Sequence, residues 1–272
     1  MLFRSMAQIT TRNALNLQTA PGHQVLAKAG KKLLRPGGRR ATEQLFQWAN
    51  FQAEDSVLEL AASFGHSAIA LGKNYGVNVV GVERNTDSVS IAQNNIEAAN
   101  IADQVKIIQW DITQLDAVSG TYDVVHAEAI LTMQSAATKA QSLAGIHNRL
   151  KAGGKFLSHE LLVRGDDTKA VRRSLSSAIR VNASPLTEDE WRTAFETAGL
   201  EVKYQHIGVM GLLNLDQLLR DEGWLGTLKI GWNTLTQPQL RQRILSMRKV
   251  FHDYQDQLGY IVLCAQRLGD LS

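Results

Sequence analysis

The run Val57-Leu-Glu-Leu-Ala-Ala-Ser-Phe-Gly65, followed by Val79-Val-Gly-Val-Glu83, constrains the fold more than any other part of the chain. It reads as an apolar strand, a turn of small residues, a helix, and a second apolar strand ending in a carboxylate. An open α/β sheet that holds a nucleotide-type ligand needs this order. Small residues let the backbone approach the ligand, and a carboxylate can accept hydrogen bonds from ribose hydroxyls. Glu83 lies 18 residues beyond Gly65, near the roughly 20-residue spacing of such a carboxylate. The glycine pattern departs from a dinucleotide fingerprint, because Ala61, Ser63 and Gly65 stand where three spaced glycines would be expected.

Further along, short β-rich runs alternate with helical ones. Strands are predicted at Val57–Leu60, Asn78–Glu83, Val105–Trp110, Tyr122–Ala127 and Lys155–Ser158, the last extending as far as Leu162. Helices are predicted at Leu26–Leu34, Thr42–Asn50, His66–Tyr75, Ser88–Asn100 and Ala136–Leu150. Pro36-Gly37-Gly38 breaks the first of these, Thr42 is the candidate cap of the second, and Lys151-Ala-Gly-Gly154 stops the last. This alternation predicts a mostly parallel sheet with helices on both faces, and a ligand beyond the carboxyl ends of the strands. The residues at those ends are Glu59–Gly65, Glu83, Asp111, His126–Glu128 and Ser158–Glu160. They gather carboxylates and histidines that a purely structural sheet would not require.

The second half departs from simple alternation. A capping box, Thr187 with Glu190, opens a helix to Ala198. A strand follows at Glu201–His206. About 50 residues then intervene before a last strand at Tyr260–Gln266, with helical pattern at Leu215–Arg220 and Gln239–Tyr254. An insertion of that length more often caps a pocket than dangles as loop. Trp224 and Trp232 sit between its helices, positioned either to line a pocket or to fill the core of the cap. The expected division is an N-terminal helical segment at 1–40, an α/β domain at 41–206 with 257–272, and a cap at 207–256.

Composition removes several function classes. Hydrophobic content of 44% and charged content of 20% suit a globular protein with a full core, and no run of 18 apolar residues exists to span a bilayer. A single cysteine, Cys264, excludes an internal disulfide and a multi-thiolate metal site, and its apolar setting reads as a packed thiol. Net charge is +3, too small to argue for a nucleic-acid partner. Even so, no acid precedes Glu43, and Lys28, Lys31, Lys32, Arg35, Arg39 and Arg40 crowd one segment. That cluster is either a solvated face or a contact for an anionic ligand or RNA. The first 20 residues carry arginine and no acid, as organelle transit peptides do. Only Arg4 and Arg12 are basic there, which favours a cytoplasmic protein.

Taken together, Val57-Leu-Glu-Leu-Ala-Ala-Ser-Phe-Gly65, Gly81-Val-Glu-Arg84, Gln109-Trp-Asp-Ile112, Tyr122-Asp-Val-Val125 and Leu150-Lys-Ala-Gly-Gly-Lys155 resemble the class I S-adenosylmethionine-dependent methyltransferases. The likeness covers roughly Arg35 to Leu162, and plausibly the last strand. It implies a doubly wound, Rossmann-like seven-stranded sheet whose last strand runs antiparallel between its neighbours, with the helical cap inserted before it. S-adenosyl-L-methionine is the implied cofactor and S-adenosyl-L-homocysteine the product.

The resemblance assigns the methionine part to the turn Ala61, Ser63 and Gly65 with Glu59. It assigns the ribose to Glu83 with Arg84 beside it, and the adenine to Asp111 and Ile112. Family members usually carry glycine where Ala61 and Ser63 stand, an exchange tolerated if φ stays negative. Asp123 opens a strand far from the ligand edge and reads as structural. Methyl transfer is an in-line displacement, so a base is needed only if the acceptor arrives protonated. Glu128 and then His159 are the candidates. Arg35, His126, Glu160 and Trp224 are candidates for the acceptor pocket. No metal is required by any spacing. The expected acceptor is a small molecule; the alternatives are RNA, a protein side chain, or a non-catalytic cofactor-binding role.

Overall fold

A computed structural model describes residues 16–269; most of the leader-like segment lies outside them. Seven strands form one sheet: β1 (Ser56–Leu60), β2 (Asn78–Glu83), β3 (Val105–Gln109), β4 (Tyr122–Glu128), β5 (Leu150–Val163), β6 (Leu200–Val209) and β7 (Leu258–Arg267), in the order β3-β2-β1-β4-β5-β7-β6. Strands β1 to β5 pair in parallel, and β7 runs antiparallel between β5 and β6. The expected doubly wound sheet with its inserted last strand is therefore present.

Helices α1 (Gly22–Ala29), α2 (Gly38–Ala49), α3 (His66–Tyr75), α4 (Thr86–Ala98), α5 (Ala136–Arg149), α6 (Thr168–Ile179), α7 (Glu188–Thr197), α8 (Leu215–Thr236) and α9 (Pro238–Asp253) flank the sheet among the described residues. The alternating side chains of each strand divide the core in two. Val57, Val79, Val124, Leu157 and Val262 pack with Leu45, Phe46, Leu71 and Ile96 of α2, α3 and α4. On the other face Leu58, Leu60, Val125, Phe156 and Leu263 pack with Leu143 and Ile146 of α5 and Trp191 and Phe195 of α7.

Several local expectations are corrected. Helix α1 spans Gly22–Ala29 and not Leu26–Leu34. Gly30 adopts φ 107, and the Lys31 amide returns to the Leu26 carbonyl, closing the helix at a left-handed glycine. Helix α2 starts at Gly38, so Thr42 is not its cap; its hydroxyl serves the site instead. Residues 151–154 do not lie beyond a helix end as a terminator. They are a bulge inside β5, where pairing jumps from Tyr122–Leu150 to Val124–Lys155. Helix α6 had no sequence expectation at all. Helix α8 runs through the glycine-rich stretch, broken at Gly223 (φ 70, ψ 177). The Thr187–Glu190 capping box forms as read. Asp123 accepts from the Ser56 amide at 2.9 Å and from Lys151 at 2.7 Å, joining β1 to β4 at the end remote from the ligand edge. These donors overcome its partial burial and hold its pKa down to about 2. Cys264 is a buried core thiol, pushed up to about 11 by burial.

A third core joins α1, α6, α8 and α9. Leu17, Val25 and Leu26 near the N-terminus join Ala178 of α6, Ile230 of α8 and Leu240, Ile244 and Met247 of α9. Residues of 207–256 thus pack against α1 and α6 as well as against one another. Leu161, Leu175 and Met210 belong to a neighbouring cluster with Val163, Val171 and Leu258, which packs α6 on the end of β5.

Candidate active site

Parallel pairing fixes which side chains meet at the ligand edge. Glu59 on β1 aligns with His126 on β4, and Glu128 on β4 aligns with His159 on β5. Because β4 runs through Glu128, His126 and Glu128 share a face two residues apart. All four side chains are buried on the α2 side of the sheet. A buried carboxylate is tolerated only with a partner, and Arg35 supplies it. Its Nε lies 2.8 Å from Glu128 Oε2, its Nη1 donates to Thr42 Oγ1 at 2.9 Å, and its Nη2 donates to the Ser67 hydroxyl. Thr42 in turn donates to Glu128 Oε1.

These contacts decide the roles of the two candidate bases. His159 Nε2 accepts from the Gly37 amide at 3.0 Å, so Nδ1 carries the proton and donates to Glu128 Oε1 at 3.1 Å. Both ring nitrogens are occupied and the ring is fully buried. Burial opposes ionisation of Glu128, but Arg35 and the hydrogen bond from His159 overcome it and hold the carboxyl below the usual range. In this arrangement Glu128 and His159, the two candidate bases, are both engaged, and both hold the segment Arg35-Pro-Gly-Gly38. Burial holds His126 neutral, with a pKa pushed down to about 4, and its ring packs edge-on against Phe46. Neither sequence pattern nor spacing signalled Thr42 or Ser67 as members of this network.

Glu160 is also removed from the acceptor pocket. It points to the opposite face, where its carboxylate accepts from the amides of Ile130, Leu131 and Thr132 and from the Thr132 hydroxyl at 2.6 Å. Its task is to hold the loop after β4. Trp224 is 68% exposed and Trp232 69% exposed, because Ile230 takes the inward side of that helix. Neither tryptophan is in the lining of the apolar cavity described below or in the helical core of Leu17, Ile230 and Met247.

The turn after β1 is where a nucleoside cofactor would bear. Ala61, Ser63 and Gly65 have φ of 53, 50 and 75. The condition that φ stay negative at Ala61 and Ser63 fails, so both residues carry left-handed strain of ~1–2 kcal/mol each. Strain of this kind persists where the surroundings over-determine the backbone, commonly at ligand sites. Glu83 is the clamp: Oε2 accepts from the Ser63 amide at 3.0 Å and Oε1 from the Asn85 amide at 2.8 Å, tying the turn after β1 to the turn after β2.

Beside them, Asp111 Oδ1 accepts from the Thr113 amide and hydroxyl, which lower its pKa, while Oδ2 lies 3.9 Å from exposed Arg84. Ile112 is buried next to it. Burial pushes Glu59 up to about 8 against the pull of Arg35, and its Oε2 has no partner in the protein. An orphaned, buried carboxylate oxygen below a strained turn fits a ligand bearing an ammonium group, as the methionine part of the cofactor does.

Next to this edge lies an apolar cavity. It is lined by Leu34 and Pro36, by Ala129 and Met133 after β4, by Leu161 of β5, and by Met210, among others. His23 is the one titratable side chain in its lining, and it lies within electrostatic reach of Glu83. Cavity and nucleoside edge therefore adjoin.

The strand order, with the last strand antiparallel between its neighbours, is that of the class I methyltransferases. The chain belongs to that family. Residues 57–154 match the Methyltransferase domain family. An uncharacterized protein of Haemophilus influenzae is 33% identical over 246 residues, covering 90% of this chain and 98% of its own. Methyltransferase GfsG of Streptomyces halstedii is 21% identical over 237 residues, 85% of this chain and 81% of its own. In fold, the chain is similar to a SAM-dependent methyltransferase from Geobacter sulfurreducens solved with S-adenosyl-L-homocysteine. There the TM-score is 0.67 at 16% identity, covering 89% of this chain and 97% of that one.

Proposed function

We propose that this enzyme transfers the methyl group of S-adenosylmethionine to an apolar small molecule held in the cavity beside the strand ends. The single observation that carries the acceptor class is the lining: Leu34, Met133, Leu161, Met210, Met247 and Phe251 offer apolar and thioether surface and almost no polar group. Apolar walls with few polar atoms select an acceptor by shape and burial. The small-molecule reading also fits two cations of the basic segment that turn inward, while Lys28, Lys32, Arg39 and Arg40 stay exposed. Lys31 is 3% exposed and paired with Asp221 and Glu222, and Arg35 is spent on Glu128. A nucleic-acid acceptor would need those charges free.

When bound, the cofactor supplies an electrophilic sulfonium methyl. In this reading Glu83 holds the ribose, Asp111 and Ile112 the adenine, and Glu59 with the Ala61–Gly65 turn the methionine end. The chain's contribution is placement, with the acceptor atom about 3–3.5 Å from the methyl carbon and in line with the breaking bond. Closure by α1 and Arg35-Pro-Gly-Gly38 excludes water. Where a proton must leave the acceptor, His23 is the available group.

Radiolabelled donor and a metabolite extract test this. Label is expected in the organic-soluble fraction. Met210→Gln is expected to lower kcat/KM by about tenfold or more, the worth of one apolar contact in a pocket, with S-adenosylhomocysteine affinity unchanged. Label appearing on RNA or protein instead would overturn the acceptor assignment.

A further inference from the structure

The outer face of the second half of α8 is apolar and bare. Trp224, Leu225, Leu228, Trp232 and Leu235 are all more than half exposed, Leu225 at 81%. Positions 224, 228, 232 and 235 recur at helical spacing, so four of these side chains make one stripe on a single helix. The break at Gly223 separates this stripe from the first half of α8, which is pinned down by Asp221 and Glu222.

The charges around the stripe have one sign. From Gly223 to His252 there is no aspartate or glutamate, while Lys229, Arg241, Arg248 and Lys249 are exposed. Lys229 packs against Gly30 at the end of α1, which brings exposed Lys28 and Lys32 to the same side. The nearest acids are engaged: Glu222 accepts from the Lys32 and Leu33 amides, and Asp253 pairs with Lys249.

We propose that this face docks the enzyme on an anionic lipid surface. Tryptophan and leucine on one side of a helix, rimmed by lysine and arginine, suit the boundary between headgroups and acyl chains. A second copy of the chain fits less well, because a two-fold contact would bring the like-charged rims together. No described helix is long and apolar enough to cross a membrane, so the association is peripheral. Helix α9, which pairs with α8, also lines the apolar cavity through Met247 and Phe251. The docked layer is thus the roof of the proposed acceptor pocket. The docking proposal does not depend on the acceptor reading.

The test is vesicle flotation of the full chain, with phosphatidylcholine containing phosphatidylglycerol against phosphatidylcholine alone. Binding is expected on the anionic vesicles, with a blue shift of tryptophan emission and at least about tenfold weaker binding on neutral vesicles or in high salt. Leu228→Ser with Trp232→Ser, both on exposed positions, is expected to abolish flotation without moving the thermal melt. Arg241→Glu with Arg248→Glu is expected to do the same. Three results would overturn the proposal: no flotation at low salt, flotation indifferent to these variants, or a dimer by light scattering that Leu228→Ser with Trp232→Ser splits into monomers. S-adenosylhomocysteine binding, measured alongside, reports on the methyltransferase reading independently.

Discussion

Arg35→Ala should destabilise the protein by about 3 kcal/mol, the cost of leaving one partner of a buried ion pair uncompensated. The guanidinium meets Glu128, Thr42 and Ser67 at once, and none of the three has another cation in reach among the described contacts. Without it, Glu128 must either stay charged in a dry setting or take up a proton. The same loss should loosen the segment 35–38, which His159 holds through the Gly37 amide. S-adenosylhomocysteine affinity should therefore fall together with stability. Arg35→Lys should recover less than half of the loss, since one ammonium cannot serve three acceptors spread across α2, α3 and β4. Urea unfolding measures this directly. A change within about 1 kcal/mol for Arg35→Ala would show that Glu128 is reached by water and that the network is not buried as described.

Glu83→Ala should weaken S-adenosylhomocysteine by about 1.5–3 kcal/mol, the worth of hydrogen bonds to a charged group, or roughly 10–150-fold in Kd. Part of that loss would come from the two amides of Ser63 and Asn85 that the carboxylate now holds. A ligand lacking the 2′-hydroxyl separates the two contributions. The deoxy analogue should bind the parent protein less tightly than the full ligand, and that difference should vanish in Glu83→Ala. If the penalty persists in the variant, Glu83 shapes the turn but does not touch the sugar.

Much of the fold was legible because its signals are local and repeated. The runs at 57–60, 78–83 and 105–110 are short, apolar and bounded by turns, and each became a strand within a residue or two. The capping box at Thr187 needs only four residues to be read. What escaped depends on distant partners. Arg35 and Thr42 meet Glu128, and Ser67 meets Arg35, from separate parts of the chain, and no spacing along it announces that meeting. Glu128 and His159 looked like free catalytic groups because sequence shows residue type but not whether an arginine or an amide already occupies it. Lys31 looked solvated for the same reason, its partner Asp221 lying 190 residues away and Glu222 next to it. Trp224 shows the reverse error. A tryptophan in a cap is ordinarily packed, yet Ile230 took the inward side of α8 and left the ring in solvent.

A crystal soaked in S-adenosylhomocysteine tests the central claim most directly. The account places the ribose on Glu83, the amino end of the ligand against Glu59 Oε2, and the sulfur facing the cavity lined by Met133, Leu161 and Met210. Density for the ligand elsewhere, or an empty groove above Ala61, Ser63 and Gly65 at saturating concentration, would contradict it.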